Sequence, residues 1–333
     1  MITHEVGSQA YNSLREEIEW SLKLPHKSIV SGSINLTNLP NTKLSKCYQN
    51  FLKKMDEKLY GMSDIKLKML HIINDRRTGK GRSCRNIGIN GPPGCGKTQI
   101  GKAMANVLGL PFEKISVGGM TDSTIFKGSD RVWSGASPSI ILQKMAKMKS
   151  SGGVIMLDEI DKLGRTAKGH EVQDSILEIS DPDHNNEFGD SYLNKYYHDL
   201  SGIFFIYCMN GTDGLTDAFK SRIDIHEITP YDTDDKTIIL PKYVLPEALS
   251  DIGMSKNSIS FDRYAIKHII DISSDDPGIR TIQKITKQIV GEINMYNSII
   301  LPDGTVNIDL GYTIPKFKLP IKINKTLLLK LLN

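Results

Sequence analysis

Eight residues, Gly91-Pro92-Pro93-Gly94-Cys95-Gly96-Lys97-Thr98, constrain this chain more than any others. They match G-x-x-x-x-G-K-[ST], and their setting suits the pattern. Asn86 to Asn90 reads as a short buried strand, and Gln99 to Leu108 as a helix that Gly109 can cap. Glycines leave room for backbone N–H groups to wrap a phosphate, while the following helix directs its positive end at the same anion. Lys97 can then reach β- and γ-phosphates, and the Thr98 hydroxyl can bind Mg²⁺. Gln99, on the first helical turn, is counted with the binding residues.

A second stretch removes the chance that this is only a glycine-rich turn. Val154-Ile155-Met156-Leu157-Asp158-Glu159 runs four apolar residues into two acids. A run that short suits a buried parallel strand, with its acids at the carboxyl end where ligands of open α/β sheets bind. Asp158 is expected in the Mg²⁺ shell, and Glu159 to polarise an attacking water.

Composition narrows the class. Over 333 residues, 39% are hydrophobic and 24% charged, ordinary for a globular protein, and a net charge of +4 spread along the chain does not point to nucleic acid. Cys47, Cys84, Cys95 and Cys208 show neither C-x-x-C pairing nor zinc spacing, so reduced thiols and a cytoplasmic location are expected. No apolar run approaches the thickness of a bilayer. Acids at Glu5, Glu16, Glu17 and Glu19 argue against a secretory or transit leader.

Along the chain, Tyr11 to Leu24 reads as a helix stopped by Pro25, and 26–43 as a linker rich in Ser, Asn, Thr and Pro. Helical spacing returns over 44–60 and 64–75, and Arg76 to Arg85 reads as a basic loop. Apolar strands at Glu113–Val117, Val154–Leu157 and Ile203–Met209 then alternate with helices, which predicts an α/β fold with a parallel sheet sandwiched by helices. After Pro230 helical patterns dominate, over 234–247, 262–272 and 278–297. The expected layout is a leading helix and linker (1–43), a nucleotide-binding domain (44–230), a small helical lid (231–300) and an extended tail (301–333).

Taken together, these residues carry a resemblance. The phosphate loop, Ile115-Ser116-Val117-Gly118-Gly119, the Leu157 to Gly164 run, Ile176-Leu177-Glu178 with Asp181-Pro182, and Pro277-Gly278-Ile279-Arg280 occur in the order found in the ATPase module of Lon-type AAA+ proteases. Tyr60-Gly61 and the helix ending Leu24-Pro25 are similar too, so the resemblance spans most of 11–297.

The resemblance implies further roles. Asn210, ending the strand Ile203–Met209, takes the sensor 1 position and Arg280 the sensor 2 position, where a guanidinium can fork onto phosphate oxygens. Arg222 takes the arginine-finger position, acting in a neighbouring subunit, although Lys220-Ser221 stands where Lon usually has an acid before it. Tyr60, Gly61 and Met62 would border the adenine, and Tyr60 reads equally as a core aromatic. Arg131 to Ala136 aligns with the channel loop that grips polypeptide, with Trp133 at the aromatic position and Ser134 where Lon has an aliphatic residue. Trp133 is also open to reading as a structural tryptophan. Phe188 fits a second channel loop.

The implied activity is that of a Mg·ATP-driven motor, a homohexameric ring that unfolds or remodels protein. No Ser–Lys peptidase domain or large N-terminal domain is expected, so a separate peptidase or larger complex is a possible partner. Two other classes stay open: a nucleic-acid motor, which calls for a cation-lined channel, and an adaptor that uses ATP binding as a switch.

Overall fold

The computed structural model describes residues 9–25, 41–77, 86–133, 135–163, 166–193, 196–301, 306, 308, 310–315 and 317–332. They divide into two compact units, one holding the chain up to Gly91 with Lys97–Ile228, the other Pro92–Gly96 with Thr229 onward.

In the first unit, helices α1 (Gln9–Lys23), α2 (Asn41–Asp56) and α3 (Ser63–Arg77) lead in. There follow β1 (Asn86–Asn90), α4 (Lys97–Leu108), β2 (Phe112–Ser116), α5 (Thr124–Lys127), α6 (Ile140–Met148), β3 (Gly153–Asp158) and α7 (Ala167–Ser180). A short pairing of β4 (Phe188–Gly189) with β5 (Tyr197–His198) precedes β6 (Ile203–Met209), α8 (Asp217–Arg222) and β7 (Ile223–Glu227). Five strands form one parallel sheet in the order β2-β3-β6-β1-β7. This is the expected α/β class, with an added edge.

The central strands are apolar at nearly every position because helices cover both faces. Ile155, Met156, Ile203, Tyr207 and Met209 are fully buried, each such side chain contributing about 1.5–3 kcal/mol. Tyr207 meets Phe219 of α8 edge to face at 5.3 Å. Strand β7 lies outside the expected set because Ile223-Asp224-Ile225-His226-Glu227 alternates apolar with charged residues, as a half-covered edge does. Helix α2 starts at Asn41, inside the stretch expected as linker, whose residues 26–40 lie outside the described set, as do 78–85 of the basic loop.

In the second unit come α9 (Thr233–Ile239), α10 (Leu245–Asp251), β8 (Ile259–Phe261), α11 (Arg263–Asp271), α12 (Arg280–Ile299), β9 (Ile321–Ile323) and α13 (Lys325–Leu332). Ile282, Thr286, Ile289, Val290, Ile293 and Tyr296 bury one face of α12 at the spacing a helix requires. The apolar end of the carboxyl-terminal stretch is built into this unit. β9 pairs in parallel with β8, and Asn324 caps α13 by accepting the Leu327 N–H at 2.9 Å. Leu328 and Leu331 are buried, and Tyr312 donates to Glu292 of α12. The triplet Ile321-Lys322-Ile323 is too short for its alternation to announce a strand.

Candidate functional site

The sheet order dictates the site. β3, β6 and β1 are consecutive neighbours running in parallel, so their carboxyl ends bring Asp158-Glu159, Asn210 and the start of the glycine-rich loop side by side. From the first helical turn of α4, the Lys97 Nζ donates to Gly91 O and, at 2.8 Å, to Asn210 Oδ1. Asn210 is anchored in turn by its backbone N–H, which donates to Asp161 Oδ1 at 3.1 Å. Thr98 and Gln99 follow Lys97 on the same turn and are partly buried.

The two acids are held differently. Asp158 pairs with Lys114 on the neighbouring β2 and accepts the Glu159 N–H. Glu159 sits at φ 64°, a left-handed backbone conformation that costs a glutamate about 1–3 kcal/mol. Its carboxylate is bonded to Lys162 and accepts the Ser116 hydroxyl at 3.0 Å. Those two bonds, Lys162 first, hold its pKa below the usual carboxylate range despite a small opposing effect of burial. Gly118 makes the space: a β-carbon there would fall 2.8 Å from Glu159 Oε2.

The turn Pro92–Gly96 is clasped within the second unit. Ile279 N–H donates to Gly94 O at 3.1 Å, the buried Cys95 thiol donates to Pro277 O, and Tyr231 OH donates to Cys95 O at 3.4 Å. The Arg280 stem lies against Gly94, since a β-carbon on Gly94 would meet Arg280 Cγ at 3.2 Å. Asp276 organises this segment: its carboxylate accepts the N–H groups of Gly278 and Thr281 at 2.8 and 2.7 Å.

Other expected residues lie elsewhere. Tyr60, Gly61 and Met62 form a turn with φ of 63° at Gly61 and 58° at Met62. The buried Lys66 steadies it, donating to Leu59 O and Asp56. Arg222 ends α8, and because Ile223 pairs with Asn86 it sits at the amino end of the sheet. That is a strand's length, about 15 Å, from its own chain's loop. There it borders a cavity of about 350 Å³ with Asp174, Glu178, Asp181 and His184. Trp133 is 71% exposed beside Val132 at 77%, while Ser134 lies outside the described residues. Phe188 requires a correction: it is only 9% exposed and belongs to the hydrophobic core, so its ring cannot present itself to a channel. Tyr196 and Tyr197, on the returning arm of that hairpin, are the exposed aromatics.

Lys114, Ser116, Lys162, Asp161 and Asp276 were not among the expected site residues. Asp161 and Lys162 follow Glu159 by two and three residues in one tight turn; Lys114 and Ser116 come from the neighbouring strand β2 and Asp276 from a distant loop.

The arrangement suits a nucleoside triphosphate with Mg²⁺. Thr98 and Asp158 offer hard oxygen donors, few enough for a cation that keeps water and phosphate oxygens in its shell. The Lys97 ammonium, a triple donor, is already directed at acceptors along the loop.

The comparisons agree. Residues 87–231 match the family described as ATPase family associated with various cellular activities (AAA). The chain is 32% identical over 295 residues to a Lon protease of Chlamydia muridarum, covering 87% of this chain and 34% of that protein. It is 33% identical over 297 residues to a Lon protease of Protochlamydia amoebophila (86% and 35%). Against a mitochondrial Lon protease homolog of Drosophila melanogaster it is 30% identical over 289 residues (87% and 27%). Fold and site thus define an α/β P-loop ATPase module of the AAA class. Within that class the chain is similar to Lon proteases, and it spans about a third of the length of the curated relatives it matches. No described helix is long and apolar enough to cross a membrane.

Proposed function

We propose that this chain binds and hydrolyses Mg·ATP and uses the cycle to unfold or remodel polypeptide, as a subunit of a homohexameric ring. The observation that carries the reading is the Lys97–Asn210 contact at 2.8 Å, beside Asp158-Glu159 on the next strand. It supports reading Lys97, on the first turn of α4, as the phosphate cation, and the Asn210 amide and Glu159 carboxylate just past the neighbouring β6 and β3 as the groups that position and activate water.

In this reading Gly91 to Gly96 offer backbone N–H groups to the phosphates, Lys97 compensates their charge, and Thr98 and Asp158 hold Mg²⁺. The ion, when bound, neutralises charge that develops on the phosphate oxygens. Glu159, its carboxylate held by Lys162 and Ser116, draws a proton from a water that Asn210 orients. Arg280, rooted against Gly94, contacts phosphate oxygens, and Tyr60, Gly61 and Met62 border the base. The place of Arg222 at the opposite end of the strands supports action on a neighbour's nucleotide rather than its own.

The exposed Val132-Trp133 turn is the proposed grip on polypeptide. Lys127 and Arg131 near it are both engaged by carboxylates, Glu178 and Glu17, which argues against a cation-lined channel for nucleic acid. Peptidase chemistry is assigned to no residue of this chain. A reducing compartment, the cytoplasm, is the proposed setting, with Cys47, Cys95 and Cys208 present as thiols.

The test is ATP hydrolysis with and without casein, beside light-scattering mass with and without nucleotide. The reading expects stimulation by casein and a ring-sized particle; hydrolysis by a monomer indifferent to casein contradicts it.

A further inference from the structure

The exposed Val132-Trp133 turn is not a free loop. Its stem is closed by Ser129 N–H donating to Ser137 O at 3.1 Å and Ser137 N–H donating to Ser129 Oγ at 2.9 Å. The buried Asp190 locks that stem to the segment after β4. Its carboxylate accepts the N–H groups of Ser139, Tyr192 and Leu193 at 2.7, 2.9 and 3.0 Å. Gly128 leaves it room, since a β-carbon there would come within 2.7 Å of Asp190 Oδ1.

Above the stem, Arg131, the residue before the exposed pair, is held from two sides. Its guanidinium pairs with Glu17 of α1 where both side chains are largely buried, and it stands 5.7 Å from the centre of the Tyr192 ring. The Tyr192 hydroxyl donates to Glu16, also on α1, at 3.0 Å. Burial and that bond push the phenol up to about 12. Helix α1 is itself fastened to the first unit: Leu24 just after it is buried in the hydrophobic core, and Trp20 packs against the same cluster.

We propose that α1 positions the Val132-Trp133 turn, with Glu17 and Glu16 gripping its root through Arg131 and Tyr192. The proposal deepens the reading of Trp133 as the polypeptide grip. A charge-assisted contact at the base fixes where an otherwise exposed tryptophan stands, so the lever that moves polypeptide is stiff at its hinge. Glu16, Glu17 and Tyr192 are positioning residues; none is assigned to the nucleotide site.

The chain has two tryptophans, Trp20 and Trp133, which allows the two ends to be watched separately. In a Trp20→Phe background, Glu17→Ala should lower the fluorescence anisotropy of Trp133 and increase its quenching by acrylamide. In a Trp133→Phe background, the same substitution should leave the Trp20 emission maximum unchanged, because α1 stays docked. In the full chain, Glu17→Ala should leave basal ATP hydrolysis unchanged and raise the casein concentration for half-maximal stimulation by about tenfold. Tyr192→Phe should give a smaller change in the same direction, and Glu17→Asp should restore part of the loss.

Unchanged Trp133 anisotropy in Glu17→Ala overturns the proposal, as does a red shift of Trp20 that accompanies the loosening. If the parent protein shows no stimulation by casein, the polypeptide reading fails on its own. The fluorescence comparison still decides whether α1 holds the turn.

Discussion

The backbone of Gly278 rests directly on that of Gly94. A β-carbon built on Gly278 would lie 2.3 Å from the Gly94 carbonyl carbon and 2.6 Å from its α-carbon, with no flexible side chain in between to give way. The turn of the phosphate loop and the segment that launches α12 are therefore in backbone contact within the second unit, and the Ile279 N–H bond to Gly94 O runs beside it. Gly278→Ala must push the two segments apart. It should cost about 1–3 kcal/mol of stability, the usual penalty for overpacking, and weaken ATP binding. Thermal unfolding and nucleotide titration check both outcomes.

Asp276 makes this segment sensitive to acid. Burial alone would raise its pKa, but the N–H bonds from Thr281 and Gly278 outweigh that and hold it below the usual range. A carboxylate whose folded pKa is depressed adds stability above its unfolded pKa, near 4 (about 3.9), and loses it as pH falls through the folded value. Asp276→Asn should therefore be less stable than the parent at pH 7, and the difference should shrink below about pH 4. Denaturant unfolding across that pH range measures it.

How much of this could be read in the chain depends on how local each signal is. The loop 91–98 and the strand ending Asp158-Glu159 are contiguous patterns, so they stand out without any knowledge of neighbours. Asn210 is legible because Ile203–Met209 is apolar throughout. By contrast, Lys114 meets Asp158 only because β2 pairs with β3 in register, Ser116 opposite Asp158. Nothing in the spacing of the chain announces that pairing. Phe188 shows the reverse: the resemblance implied a ring facing a channel, whereas its burial is set by the distant residues packed around it. The carboxyl-terminal strand was hidden for a similar reason, since Ile321-Lys322-Ile323 becomes a strand only against Ile259-Ser260-Phe261.

Asn210 supports Lys97 and is proposed to orient water, so it should matter more for turnover than for affinity. Asn210→Ala should lower the rate of ATP hydrolysis by about 100-fold, the scale for removing one aligned polar group from a reacting centre, with a smaller change in KM. Steady-state kinetics separate the two.

Asp190 is 1% exposed and accepts three backbone N–H groups. Asp190→Ala leaves those donors buried without an acceptor, which should cost about 3 kcal/mol or more. For a domain of this size that lowers Tm by roughly 6–12 °C. Differential scanning calorimetry provides the check, and a shift within experimental scatter contradicts the role given to Asp190.

Central to the account is a triphosphate held by the loop around Lys97 and cleaved by water that Glu159 activates. The most direct measurement is Mg·ATP binding and hydrolysis by the parent protein and by Glu159→Gln. The account predicts that both bind ATP with similar affinity and that the variant turns over about 100- to 10,000-fold more slowly. A parent protein that neither binds nor cleaves ATP, or a variant that cleaves it as fast as the parent, would contradict the account.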